Sequence, residues 1–147
     1  MTYLTGPIMP EALGGFKYVC KISDECTRWT EVYLQKPKDG TLNAFQFYVQ
    51  SMAIPGGVRV ERLRADKGGE FIGNEFKSYG RQTYILLEFA STNTPQQIGL
   101  SERVGRMLAA MVRCMLAESD GATFLWGELM FTAAYLANRS PHSALDM

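Results

Sequence analysis

Residues 63–71 read Leu-Arg-Ala-Asp-Lys-Gly-Gly-Glu-Phe, and residues 92–107 read TNTPQQIGLSERVGRM. Each stretch carries one acid at a boundary between elements. Asp66 closes a strand-like run over residues 58–65, and Glu102 stands near the start of a helix-like run. Thirty-five residues lie between them. A carboxylate leaving a strand and one on a following helix can meet in space and hold divalent cations, the arrangement that serves phosphoryl transfer. The pair alone is weak, because the chain has 15 acidic residues to choose from.

Working outward, the periodicity supplies a coarse fold. Residues 16–22 (FKYVCKI) alternate as a strand, Ser23-Asp24-Glu25 reads as a turn, and residues 27–34 (TRWTEVYL) are β-branched and aromatic enough to return as the next strand. Residues 42–52 place Leu42, Phe45, Tyr48, Val49 and Met52 at helical spacing, and Pro55-Gly56-Gly57 breaks that run. A short helix is expected over 74–81, with Phe76 and Tyr79 inward. A strand is expected over 84–89, with Ile85, Leu87 and Phe89 on one face. From Leu100 the set Val104, Met107, Leu108, Met111, Val112 and Met115 makes a stripe of period 3.6. Its helix would open at Pro95 with Thr94 as cap, and a last helix over 122–136 would end at Asn138 and Pro141. The order predicts one α/β domain over residues 1–147, a mixed sheet of about five strands with helices on its faces.

Composition sets limits. The apolar share of 46% and charged share of 20% are ordinary for a folded domain. No run approaches the roughly 18 apolar residues that mark a membrane span, so no membrane partner is expected. Three cysteines without CxxC spacing fit reduced thiols in an intracellular protein, with Cys20 and Cys114 expected in the core. One histidine, His142, is too few for a Cys/His zinc site. Net charge is zero and the pI is near 6.6, so any nucleic-acid contact must come from a local basic patch.

Four motifs in order resemble the catalytic core of copia-type retrotransposon and retroviral integrases. They are Thr5-Gly6-Pro7, residues 63–71, residues 94–103 (TPQQIGLSER) and residues 135–141 (YLANRSP). The resemblance covers nearly the whole chain and implies a ribonuclease-H-like fold. It implies two-metal DNA 3′-processing and strand transfer with Mg²⁺ or Mn²⁺, and Asp66 and Glu102 as catalytic metal ligands. DNA partners, a homodimer or higher oligomer, and a nuclear location follow from the same likeness. Gln96 and Gln97, in what the family uses as a loop near DNA, are candidate nucleic-acid contacts with Lys77, Arg103 and Arg106. Relative to the family the chain reads as truncated at both ends, without a zinc-binding domain before it or a DNA-binding tail after it.

The blander readings stay open beside these. Asp66 before Lys-Gly-Gly is also a good turn former. Glu102 and Arg106 are four apart and suit an exposed helix pair. The basic residues suit a solvated helix surface.

The main departure is Tyr3. The family places its first catalytic Asp three residues before the Gly of Gly-Pro, and here that position is Tyr3. A phenol with a pKa of about 10 does not replace a bridging carboxylate. If Tyr3 pairs near residues 16–19, Asp24 is on the order of 20 Å away and cannot substitute. Lys67, Val104 and Gly105 also depart from the pattern. The expectation is an integrase core with an impaired site and weak metal binding. The alternative is a non-catalytic remnant that binds nucleic acid or oligomerises.

Overall fold

The computed structural model describes residues 1–37, 40–65, 68–89 and 95–142, with backbone only at 69–70 and 95–98. Five strands form one sheet: β1 (Thr2–Thr5), β2 (Tyr18–Ser23), β3 (Thr30–Gln35), β4 (Arg62–Ala65) and β5 (Leu86–Phe89). Their spatial order is β3-β2-β1-β4-β5. The meander β1-β2-β3 is antiparallel, whereas β4 and β5 join parallel to β1. A parallel neighbour needs a crossover, and the helices supply it. They are α1 (Thr41–Tyr48), α2 (Gly69–Ile72), α3 (Asn74–Thr83), α4 (Pro95–Ser119) and α5 (Trp126–Ala137).

Alternation along β2 divides the interior in two. Cys20 and Ile22 point to the face covered by α1–α3, where they join Phe45, Leu63, Phe71 and Phe76. Val19 points the other way, to a core of Val32, Leu108, Val112, Trp126 and Met130 beneath α4 and α5. Lys21 shares the parity of Val19, so a charged side chain enters the α4 face of the sheet. It is only 6% exposed. The same parity sends Tyr3 and Thr5 of β1 toward α4, while Leu4 packs into the opposite core.

Several boundaries differ from the expectation. The strand expected from residue 27 begins at Thr30, because Asp24 organises a turn first. The Asp24 carbonyl accepts the Arg28 amide at 3.0 Å, its side chain accepts the Cys26 amide at 2.9 Å, and Arg28 takes a left-handed φ of 65°. The helix expected to residue 52 is α-helical only to Tyr48. It widens into a π-helical turn over Val49–Ala53, where the Ile54 amide bonds to the Val49 carbonyl ahead of Pro55. The strand expected over 58–65 is confined to Arg62–Ala65. Tyr84, expected in a strand, instead closes α3 in the left-handed conformation and is 83% exposed. Residues 122–125 contribute a 3₁₀ turn, Thr123–Leu125, before α5 starts.

Cys114 was expected in the core and is exposed. It lies two residues past Val112, about 200° around α4 from the buried stripe. Met107 of that stripe is 43% exposed, while Leu108 and Val112 are buried. The Thr94 cap lies outside the described residues. Asn138 ends α5 by gripping the backbone of Thr30: its Oδ1 accepts the amide at 2.8 Å and its Nδ2 donates to the carbonyl at 2.9 Å.

Candidate active-site cleft

Strand β1 is flanked by both of its partners at the level of Tyr3. Tyr3 pairs with Lys21 across the antiparallel side, and Thr2 pairs with Ala65 across the parallel side. Ala65 is the last described residue of β4, directly before position 66 in the chain. Asp66 itself lies outside the described residues, as does Lys67, so the expected approach of Asp66 to Glu102 falls there as well.

Helix α4 packs on this face of the sheet. Glu102, Gly105, Arg106, Ala109 and Arg113, spaced by three and four residues, present one helical face to Tyr3, Thr5 and Lys21. Together they enclose a cleft of about 380 Å³. Tyr3 and Glu102 therefore line one cleft. Glu102 is exposed on the rim, and among the described residues it makes no ion pair with Arg106.

The floor of the cleft is a cation. Lys21 Nζ sits 4.9 Å from the centroid of the Tyr3 ring and donates to Thr5 Oγ1 at 2.7 Å. An ammonium over an aromatic face is held by the ring quadrupole, an interaction of about 0.5–2 kcal/mol depending on desolvation. Among the described residues no carboxylate lies within ion-pair distance of Lys21. Burial lowers its pKa from 10.5 to about 8, because desolvation disfavours the charged ammonium. Gly105 makes the room for it: a Cβ at that position would lie 2.7 Å from Lys21 Nζ. Tyr3, Lys21 and Gly105 thus fit together as a unit.

The register also changes the argument about Asp24. Tyr3 pairs with Lys21 rather than with residues 16–19, so Asp24 is three residues along β2, about 10 Å rather than 20 Å. It still does not line the cleft. Its side chain is committed to the turn through Cys26 and Thr27, the latter at 3.0 Å.

Of the expected nucleic-acid contacts whose side chains are described, Arg106 lines this cleft, as does the neighbouring basic residue Arg113. Arg103 turns to a separate pocket with Arg28, Met107 and Asn138. Lys77 lies at a third place, beside Arg81 and Tyr84. Gln96 and Gln97 lie in the first turn of α4, with their side chains outside the described residues. The residue that sequence reasoning passed over is Lys21. Its signal was a lysine at the Val19 parity within an otherwise apolar strand.

Magnesium or manganese, implied by the resemblance, is not matched by the donors in view. The described residues contain no group of three His, Cys, Asp or Glu side chains able to hold a metal ion. Among the described residues the cleft offers one carboxylate, two hydroxyls and a buried ammonium. That cation repels a second one at short range.

No protein-family model matches the chain. It is 38% identical over 136 residues to the retrovirus-related Pol polyprotein from transposon TNT 1-94 of Nicotiana tabacum, covering 92% of this chain and 10% of that protein. It is 27% identical over 143 residues to the corresponding polyprotein from transposon RE2 of Arabidopsis thaliana, covering 97% of this chain and 10% of the relative. The chain thus spans about a tenth of the length of these relatives. Among solved structures it resembles a chain of the simian T-cell lymphotropic virus intasome in complex with PP2A regulatory subunit B56 gamma. That match has a TM-score of 0.68 and 11% identity, covering 97% of this chain and 54% of the other. It also resembles the HTLV-2 integrase catalytic core domain in complex with magnesium, in a trimeric form. Here the TM-score is 0.63 and the identity 15%, covering 91% of this chain and 80% of that one. The homologues are retrovirus-related Pol polyproteins of copia-type transposons, and the fold is the ribonuclease-H-like fold of an integrase catalytic core.

Proposed function

We propose that this homologue of copia-type Pol polyproteins, an integrase catalytic core-like domain, engages DNA but carries out metal-dependent end processing and strand transfer poorly. The observation that carries the reading is the Tyr3–Lys21 pair. Where the family pattern sets its first carboxylate, this chain sets a phenol ring against an ammonium 4.9 Å away. The first carboxylate of the family pattern is missing, and a positive charge stands beside its position, at the place where two divalent ions would be held about 3.5–4 Å apart. Transition-state charge stabilisation is the largest contribution such sites make, so the change strikes catalysis hardest.

DNA as the partner is supported by Arg106 and Arg113 on the cleft wall and by the intasome in which a structural neighbour is found. Self-association is supported by the large apolar side chains that α5 and the turn before it leave exposed, Phe124, Phe131 and Tyr135, and by the trimeric form of the HTLV-2 core. A nuclear location follows from DNA as substrate. No helix among the described residues is long and apolar enough to cross a membrane.

A gel assay of Mn²⁺-dependent disintegration on a branched DNA substrate tests the reading. The unmodified chain is expected to be inactive. Tyr3→Asp alone is expected to recover little, because a carboxylate at position 3 would face Lys21 across the strand pair and be neutralised by it. Tyr3→Asp with Lys21→Thr is expected to recover more, and Glu102→Gln in that background to abolish the gain. Robust activity of the unmodified chain, lost in Glu102→Gln, would overturn the proposal.

A further inference from the structure

We propose that the Tyr3–Lys21 cleft is a phosphate-binding site that works without a metal ion, with the Lys21 ammonium as its central donor. It rests on the preceding reading only in taking a nucleic-acid strand as the natural source of the phosphate.

The geometry starts from Lys21. An ammonium has three hydrogens, and Thr5 Oγ1 takes one of them. Two are left without an acceptor among the described residues, at the floor of a cleft open enough to admit a ligand. Buried cations are retained where something pairs with them. The Tyr3 ring offers its quadrupole, and among the described residues no carboxylate comes within ion-pair distance.

The walls supply the rest. Arg106 and Arg113, both exposed, line the same cleft and add two guanidinium groups suited to oxyanions. Glu102 is the opposing charge, so among the described residues the four charged groups that line the cleft sum to +2, in a chain whose overall formal charge is zero. Among the described residues the positive excess is local to this cleft. Gly105 holds the pocket open, since any Cβ there would press on Nζ from 2.7 Å.

The role of Glu102 separates this site from a metal-bridged one. Where a divalent ion joins carboxylate to phosphate, removing the carboxylate weakens phosphate binding. Where the ammonium binds phosphate directly, Glu102 is only a repulsive neighbour, and removing it strengthens binding.

The test uses the full chain in EDTA, titrated calorimetrically with inorganic phosphate and, separately, with a short oligothymidylate lacking terminal phosphates. At least one of the two should bind. Lys21→Met should weaken it by at least about tenfold, the loss expected for a charge-assisted contact. Glu102→Gln should strengthen it by about threefold, as suits an exposed like-charge neighbour. Binding by phosphate alone would assign the site to a free or terminal phosphate, and binding by the oligonucleotide to internal phosphodiesters; both support the proposal. A second measurement needs no variant: reductive methylation of Lys21 in the unmodified protein, followed by mass spectrometry, should slow when the binding anion is present. The proposal is overturned if neither probe binds, if binding requires Mg²⁺ or Mn²⁺, if Glu102→Gln weakens it, or if Lys21 is not protected. Failure here leaves the disintegration result untouched, and an active unmodified chain would strike the preceding reading without bearing on binding in EDTA.

Discussion

Raising the pH should stabilise this protein, and the effect should depend on Lys21. The side chain is 6% exposed and its pKa falls from 10.5 to about 8 through burial. A base whose folded pKa lies below its unfolded value binds fewer protons when folded, so stability rises with pH between the two values. Below about pH 8 the buried ammonium carries its full cost. That cost is released as the pH climbs from 8 toward 10.5. The shift corresponds to about 3 kcal/mol, at about 1.4 kcal/mol per unit. About 2 kcal/mol of it should appear between pH 7 and 9.5. Other groups titrate nearby. The Met1 amino group is also lowered by burial and adds to stability as pH rises through its range. Tyr33, Tyr48 and Tyr79 are raised by burial, so their unfolded forms ionise first and oppose the gain above about pH 10. These contributions are common to a Lys21→Met variant and cancel in the difference. Urea unfolding of both proteins at pH 7, 8, 9 and 9.5 is the assay. Lys21→Met should be the more stable at pH 7, with its advantage shrinking by about 2 kcal/mol by pH 9.5. A difference that stays flat across that range, or grows, would refute the account of Lys21 as a cation destabilised by burial. Saturating phosphate, if it binds as proposed, should flatten the wild-type dependence, because a bound anion keeps the ammonium charged.

Gly105→Ala should raise stability by about 1 kcal/mol in a Lys21→Met background through helix propensity, and by less in the native background, where the new methyl displaces Nζ; thermal melts of the four proteins give the coupling. Asn138→Ala should cost about 1–3 kcal/mol in urea unfolding, since both backbone groups of Thr30 lose their partner. Leu108→Ala, at a fully buried position beneath α4, should cost about 2–5 kcal/mol in the same assay. In the DNA assay, Tyr3→Asp should gain clearly more from added Lys21→Thr than from added Lys77→Gln, because Lys77 lies outside the cleft.

The parts of the fold that were legible in the sequence are those governed by period and by punctuation. The stripe through Leu108 and Val112 gave α4, the alternation of Cys20 and Ile22 gave β2, and Pro55-Gly56-Gly57 marked the end of the α1 region. What escaped was set by contacts that local pattern does not carry. Thr27 looks like a strand residue, but Asp24 captures the Cys26 amide and the Thr27 hydroxyl and delays β3 to Thr30. Tyr84 has strand propensity, yet it is spent on capping α3. Cys114 is apolar in isolation and exposed because its angle around α4 opposes the stripe.

The candidate site divides along the same line. Tyr3 and Glu102, both singled out by the family motifs, line one cleft. The motifs also framed the question as one of subtraction, a missing carboxylate at position 3. Register turns that into a substitution. Pairing Tyr3 with Lys21 puts a cation beside the missing acid, and Gly105 leaves space for it from a helix more than eighty residues away in sequence. A phenol alone would leave a weakened cation site that one mutation could repair. On the proposed reading, a phenol with a buried ammonium makes the described floor of the cleft cationic and suited to an anion, so Tyr3→Asp is expected to need Lys21→Thr beside it to gain activity.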